Sequence, residues 1–419
     1  MTPMLLAGVW VAGGLTALLL GPLRHRRRLA WTVPGIAGLC ALGVSTTAPW
    51  PGPAASARYG ASLALGRPAA GLMVVAGLAL ALTLALAPRL DGGEVLTACA
   101  AGAACAVALS ATVAIVWAVA IAVAVATITV RWITTAPHRA TLAAGRIAGL
   151  GAAALIAAAA FLPGAGPTLD ARTALAGGCL AAGVSALLAL LPLGGWAAAS
   201  TGVVRGADVA PWALLVAPTV LLGTTVLLPG LPPGARNPFA NVLLCLGVVS
   251  AAWGSLMALR STEPARYGRV LIADLALAAA GLGSTHASGR LGCFVLVLTH
   301  MGAGPLLLHS ARSALDRQRR LAWLSLSGLP PTPAFWGRYL VLLGLAAANG
   351  TALLAGLVAS AALLGTAARA LAGGWRPGDS LPAPRVTRLL AWSVALGLLG
   401  LGLAPDWLTT GVFGNGVSG

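Results

Sequence analysis

A chain of 419 residues that is 58% hydrophobic and only 8% charged has too little polar surface to cover a water-soluble domain. Apolar runs recur from end to end, each long enough to cross a hydrocarbon core of about 30 Å as a helix. The formal charge of +17 would suggest a nucleic-acid partner in a soluble protein. Here the basic residues lie in short clusters between apolar runs, so positive-inside topology accounts for them and no nucleic acid is expected.

The first run, residues 4–22, has no basic residue before it and "RHRRR" (24–28) after it. That order is the reverse of a signal peptide, which predicts a retained first helix with an external N-terminus. Further helices are predicted near 29–48, 69–88, 95–109, 111–131, 142–162, 171–191, 209–228, 238–259, 268–285, 291–312, 321–346, 350–373 and 388–409. The apolar region 95–131 is too long for one span and is expected to turn near Ser110. The fold class predicted is therefore all-α, a polytopic transmembrane protein of about 14 helices.

Alternating sides from an external N-terminus places twenty arginines on inside loops and only Arg58, Arg67, Arg172, Arg236 and Arg290 outside. This asymmetry supports an even helix count with both termini on the outside. All 26 basic residues are arginine, an absence of lysine that the abundance of Ala, Gly and Pro attributes to GC-rich codon usage.

Several chemistries are excluded. The six cysteines fall within apolar runs without CxxC or Cys/His ligand spacing, and read as small buried hydrophobes. No nucleotide-binding glycine loop, protease motif or metal-ligand set is present, so neither cofactor nor metal is expected. The longest polar connections, around 49–68 and 374–387, are only loop-sized.

Polar groups at membrane depth are thus the candidates for function. Asp91, Glu94, Asp170, Asp208, Glu263, Asp316 and Asp379 are assigned to loops or helix ends as solvated charges, and Asp406 to the last outside interface as a structural residue. Asp274, in "GRVLIADLALAAAGLG", lies roughly two turns into its helix and is read either as the partner of a neighbouring arginine or as part of an ion path. His300 and His309, in "FVLVLTHMGAGPLLLHSA", are either satisfied by helix–helix hydrogen bonds or members of a proton relay.

The segment "LSLSGLPPTPAFWGRYLVLL" (324–343) is the most informative stretch. Pro330, Pro331 and Pro333 open a helix and free carbonyls, and Arg338 follows as a cation that can pair with an acid but cannot hand on a proton. Irregular backbone at this depth is tolerated only where it is buried in protein or lines a cavity.

This segment closely resembles S-L-x-G-x-P-P-x-x-G-F-x-G-K, the mark of the antiporter-like membrane subunits of respiratory complex I, Mrp-type cation antiporters and membrane-bound group 4 hydrogenases. In that family it is a broken helix whose lysine ends a chain of titratable groups. Here the lysine position is Arg338, and the glycine before Phe335 is Ala334. "AIVWAVAIAVAVATITV" (114–130) resembles the helix with a W-E pair, the glutamate position being Ala118. "LLPLGGWAAAS" (190–200) resembles P-L-H-x-W-L-P, with Pro192 kept and Gly194 where histidine is usual. The lysine expected beyond it falls near Thr224, after Pro218. "RYGRVLIADLALAAAGL" (266–282) is similar to the run that begins K-R, and "VLTHMGAGPLLL" to the H-x-x-x-K helix, keeping His300 but carrying Gly304 for lysine.

The resemblance implies N-terminal helices over 1–94, an antiporter-like core over 95–345 with broken helices near 192–228 and 321–346, and C-terminal helices over 346–419. It implies a multi-pass protein of a bacterial cytoplasmic membrane whose partners are the lipid bilayer and other membrane and peripheral subunits. Because the glutamate is missing and every lysine is replaced, the relay is expected to be degenerate. The leading reading is a membrane-arm subunit of a complex I-type or hydrogenase-type assembly without a redox centre of its own. Its alternatives are an ion transporter subunit of Mrp-like type, linked to cations and protons or to bicarbonate, without a redox arm, and a purely structural scaffold in which an arginine neutralises Asp274.

Overall fold

The structure, a computed structural model, describes residues 7–12, 67–87, 91–111, 113–136, 139–162, 170–193, 204, 206–262, 265–308, 315–373 and 385–403. Residues 7–12 are helical, and the predicted helix at 29–48, both termini, Gly194, His309 and Asp406 lie outside the described residues. No β-strand occurs among the described residues. The all-α class is what the sequence led one to expect.

The helices are α1 (Arg67–Leu86), α2 (Gly92–Ser110), α3 (Ala114–Thr135), α4 (Arg139–Phe161), α5 (Ala171–Leu187), α6 (Gly206–Leu227), α7 (Pro233–Arg260), α8 (Ala265–Gly283), α9 (Ala287–Leu307), α10 (Asp316–Leu326), α11 (Pro333–Ala348), α12 (Gly350–Ala372) and α13 (Arg385–Leu403). Seven of them, α2, α3, α4, α6, α7, α9 and α12, are long and apolar enough to cross a membrane. The apolar stretch at 95–131 does turn after Ser110.

Helix starts follow local chemistry. Asp91 caps α2 by accepting from the Glu94 N–H at 2.8 Å while its own N–H donates to Glu94 Oε2, and Asp170 and Thr173 repeat the device on α5. Asn349 caps α12 by accepting from the Thr351 N–H. Each cap satisfies main-chain donors that a helix start leaves open.

Packing sorts the helices into inner and outer ones. Almost every residue of α6 and α8, and most of α9, is buried, whereas α3, α7 and α12 expose an apolar face that includes Val123, Trp253 and Leu354. Exposed large hydrophobic side chains on a helix are stable facing lipid, where they cost nothing by staying out of the core. At the α7–α8 contact a Cβ on Gly247 would meet the Ala280 main-chain nitrogen at 2.6 Å, so only glycine lets the two backbones approach this closely.

Two inner helical paths are interrupted. In α6 a π turn spans Trp212–Val216, with the Ala217 N–H donating to the Trp212 carbonyl, and Pro218 just beyond it brings no N–H. The path expected as one broken helix over 321–346 divides into α10 and α11, separated by residues 327–332. Gly328 there adopts φ +77°, a left-handed conformation open to glycine at no steric cost, and the Leu191–Pro192 and Pro330–Pro331 bonds are cis.

Candidate functional site

The break between α10 and α11 has its sequel one helical turn later. Arg338 on α11 is 3% exposed and turns its guanidinium back onto the break, its Nη2 donating to the Leu326 carbonyl at 2.9 Å and its Nη1 to the Ser327 carbonyl at 3.2 Å. The carbonyls that the prolines release are therefore capped by the cation that follows them. A Cβ on Gly328 would stand 2.5 Å from Nη1, so glycine also makes room for the guanidinium.

The other edge of the guanidinium meets α8. Arg338 Nε donates to Asp274 Oδ1 at 3.0 Å and Nη2 to Asp274 Oδ2 at 2.9 Å, a two-point clamp on a carboxylate that is 0% exposed. His300 on α9 places Nε2 2.9 Å from the same Oδ2. Since the clamped carboxylate only accepts, His300 carries its hydrogen on Nε2, and in the neutral ring Nδ1 is a bare acceptor. Three of the four predicted site residues, Asp274, His300 and Arg338, thus form one buried cluster, with charges that cancel when the imidazole is neutral.

The positions where the resemblance expects ionisable groups are filled differently. Ala118 on α3 is fully buried, and its neighbour Trp117 lies against α6, where a Cβ on Gly223 would collide with the indole Nε1. Thr224 donates to the Val220 carbonyl within its own helix at 2.7 Å. Gly304, one turn beyond His300, faces Leu214 of the π turn and the Tyr267 hydroxyl. Pro192 lies in the turn after α5 and Pro218 within α6.

A second charged cluster overturns part of the sequence reading. Glu94 and Asp208, expected as solvated charges, are buried, because α2, α3 and α6 bring their ends together there. Arg131 near the end of α3 donates through Nη2 to Asp91 at 2.6 Å and through Nε to Asp208 at 2.8 Å, with Glu94 Oε1 3.9 Å away. The Trp132 indole donates to the Asp208 carbonyl at 2.8 Å. The signal was present in the topology, since alternating spans put the start of α2, the end of α3 and the start of α6 at one membrane face. Among the described residues no group of three or more His, Cys, Asp or Glu is placed to hold a metal ion.

No family model and no curated protein matches the sequence. Solved structures do match. A chain of respiratory complex I from Thermus thermophilus with bound aureothin is similar with a TM-score of 0.74 at 21% identity, over 97% of this chain and 98% of that one. The Mrp complex from Dietzia sp. DQ12-45-1b gives a TM-score of 0.82 at 18% identity over 98% of this chain, which spans 51% of the Mrp chain. The membrane-bound sulfane sulfur reductase, an archaeal respiratory membrane complex, gives 0.80 at 15% identity over 96% and 94% of the two chains. Together with the broken segment at 324–343, these likenesses identify the fold of this multi-pass chain as that of the antiporter-like membrane subunits.

Proposed function

We propose that the chain is a membrane-arm subunit of a multi-subunit assembly of complex I or group 4 hydrogenase type, seated in a bacterial cytoplasmic membrane and tied to proton or cation translocation. The observation that carries this reading is the Asp274–His300–Arg338 cluster. A buried carboxylate, imidazole and guanidinium placed beside a helix break form a polar site of the kind that marks an ion path in a membrane.

Within the cluster the roles divide by chemistry. Arg338 stays protonated and supplies a fixed field, Asp274 holds the tautomer of His300, and His300 is the member that exchanges a proton. The contact between Trp117 and Gly223 and the internally satisfied Thr224 support a relay that is dismantled in the first half of the core. On this reading the chain supports neighbouring pumping subunits and keeps one proton-exchanging node, while electron transfer belongs to other subunits.

A second reading, an Mrp-like transporter subunit without a redox arm, is favoured by the TM-score of 0.82 to the Mrp complex. Purification of the tagged chain from its native membrane in mild detergent, with each co-purifying chain identified, separates the two. Recovery with iron–sulfur, nickel or flavin subunits is the expected result, and recovery with small membrane proteins only would favour the second reading. The scaffold alternative already has its geometry in the Asp274–Arg338 pair. It is excluded if Asp274→Asn, though destabilised by the Arg338 charge it leaves unpaired, still assembles in native membranes and lowers proton translocation per assembled complex.

A further inference from the structure

Two polar atoms beside the cluster lack the hydrogen bond that burial demands. The Tyr267 hydroxyl and His300 Nδ1 are both buried, and among the described residues neither has a hydrogen-bond partner. Buried polar groups are hydrogen-bonded in the great majority of cases, because a bond to water given up on burial has to be replaced. Two orphans of complementary kind, a hydroxyl that can donate and a bare imidazole nitrogen that can only accept, lie on facing residues.

The facing follows from helix geometry. Tyr267 precedes Asp274 by seven residues, two turns of α8, so both point from one face of that helix, and His300 and Gly304 are one turn apart on α9. The Tyr267 ring lies 6.0 Å from the His300 ring, tilted by 42°, and is held from behind by Trp323, 6.5 Å away edge to face. A Cβ on Gly304 would stand 2.9 Å from the Tyr267 hydroxyl, which thus occupies the place where a side chain at 304 would begin. The same Cβ would stand 2.9 Å from Leu214, six residues beyond Asp208 and so about 9 Å along α6 from the Arg131 cluster.

We propose that Tyr267 Oη and His300 Nδ1 together bind one buried water molecule, the port through which protons reach and leave His300. This inference rests on the reading of the cluster as a proton-exchanging node. A proton delivered from solvent makes the bound water a hydronium, which gives one proton to Nδ1 and returns to water while the imidazole becomes an imidazolium held by Asp274. Release passes a proton from Nδ1 back to the water and on to solvent, without electron transfer. Tyr267 is a positioning residue here, because it orients the water rather than ionising.

The test compares Tyr267→Phe and Asp274→Asn in the intact complex in native membrane vesicles, reading proton translocation, with the 15N signal of His300 Nδ1 read in the purified full-length chain. The expected result is loss of translocation in Asp274→Asn, a fall of roughly 10²-fold in Tyr267→Phe, the scale of a lost proton-transfer contact, and a shifted Nδ1 signal in the same variant. Loss in Asp274→Asn with both readouts unchanged in Tyr267→Phe overturns the port and leaves the node standing. Retained translocation in Asp274→Asn overturns both. If Tyr267→Phe does not assemble, the wild-type protein decides. An Nδ1 signal typical of a hydrogen-bonded acceptor, with map density within hydrogen-bond distance of both atoms, supports the port, and an unbonded Nδ1 signal overturns it.

Discussion

Arg338 does the work of three separate features of the chain. It neutralises Asp274, caps two carbonyls freed by the helix break and fixes the side of Asp274 on which His300 docks. Removing one partner of a buried ion pair leaves the other charge uncompensated, so Arg338→Ala is expected to destabilise the fold by about 3–5 kcal/mol. Replacing Arg338 by Met together with Asp274→Asn should recover the part of that loss due to the unpaired charge, while the Leu326 and Ser327 carbonyls stay uncapped. Arg338→Lys keeps the charge but offers a point donor in place of a planar fork, and falls between the two. Unfolding midpoints of the purified chain in detergent check this order, and a double substitution as unstable as Arg338→Ala would contradict it.

At the scale of the element, the helix break and the tight helix contacts make separable predictions. If Pro330, Pro331 and Pro333 are all replaced by Ala, main-chain donors return to the 327–332 stretch, α10 can continue toward α11, and the Leu326 and Ser327 carbonyls find helical partners. Arg338 then loses its two carbonyl seats. The triple variant is expected to insert and assemble but to lose translocation, which vesicle assays read directly. Gly247→Val addresses stability alone, since its side chain would enter the α7–α8 contact and force the backbones apart at a cost of about 1–3 kcal/mol. That variant should lower the unfolding midpoint while leaving the translocation of the folded fraction unchanged.

The whole molecule is tied together at one end by Arg131, which joins α2, α3 and α6 through Asp91 and Asp208. Burial alone would push the Asp91 carboxyl up, but the hydrogen bonds from Arg131 and from the Glu94 main-chain N–H outweigh it and hold the group below its ordinary value. A carboxyl whose value is depressed by folding adds stability above its unfolded value, about 3.9, and that stability is lost as pH falls through the lowered folded value. Asp91→Asn should therefore be less stable than the wild type at neutral pH. The gap between their unfolding midpoints should close in strong acid, and a gap independent of pH would contradict this account.

Much of this was legible in the sequence, and for a physical reason. Whether a segment enters lipid depends on its own composition, so run lengths, the turn after Ser110 and the helix break at 327–332 could all be read from local residues. The proline run before Arg338 signalled a polar site because both features are costly in hydrocarbon unless they serve each other. Partnership was not legible, since it depends on which helices the bundle brings together. Tertiary packing alone decided that Asp274 meets Arg338 across 64 residues and His300 across 26, that Glu94 and Asp208 are buried around Arg131, and that Tyr267 stands over Gly304. In lipid the chain's own residues determine that helices form and where they break, but a buried charge is settled only by the helix that packs against it.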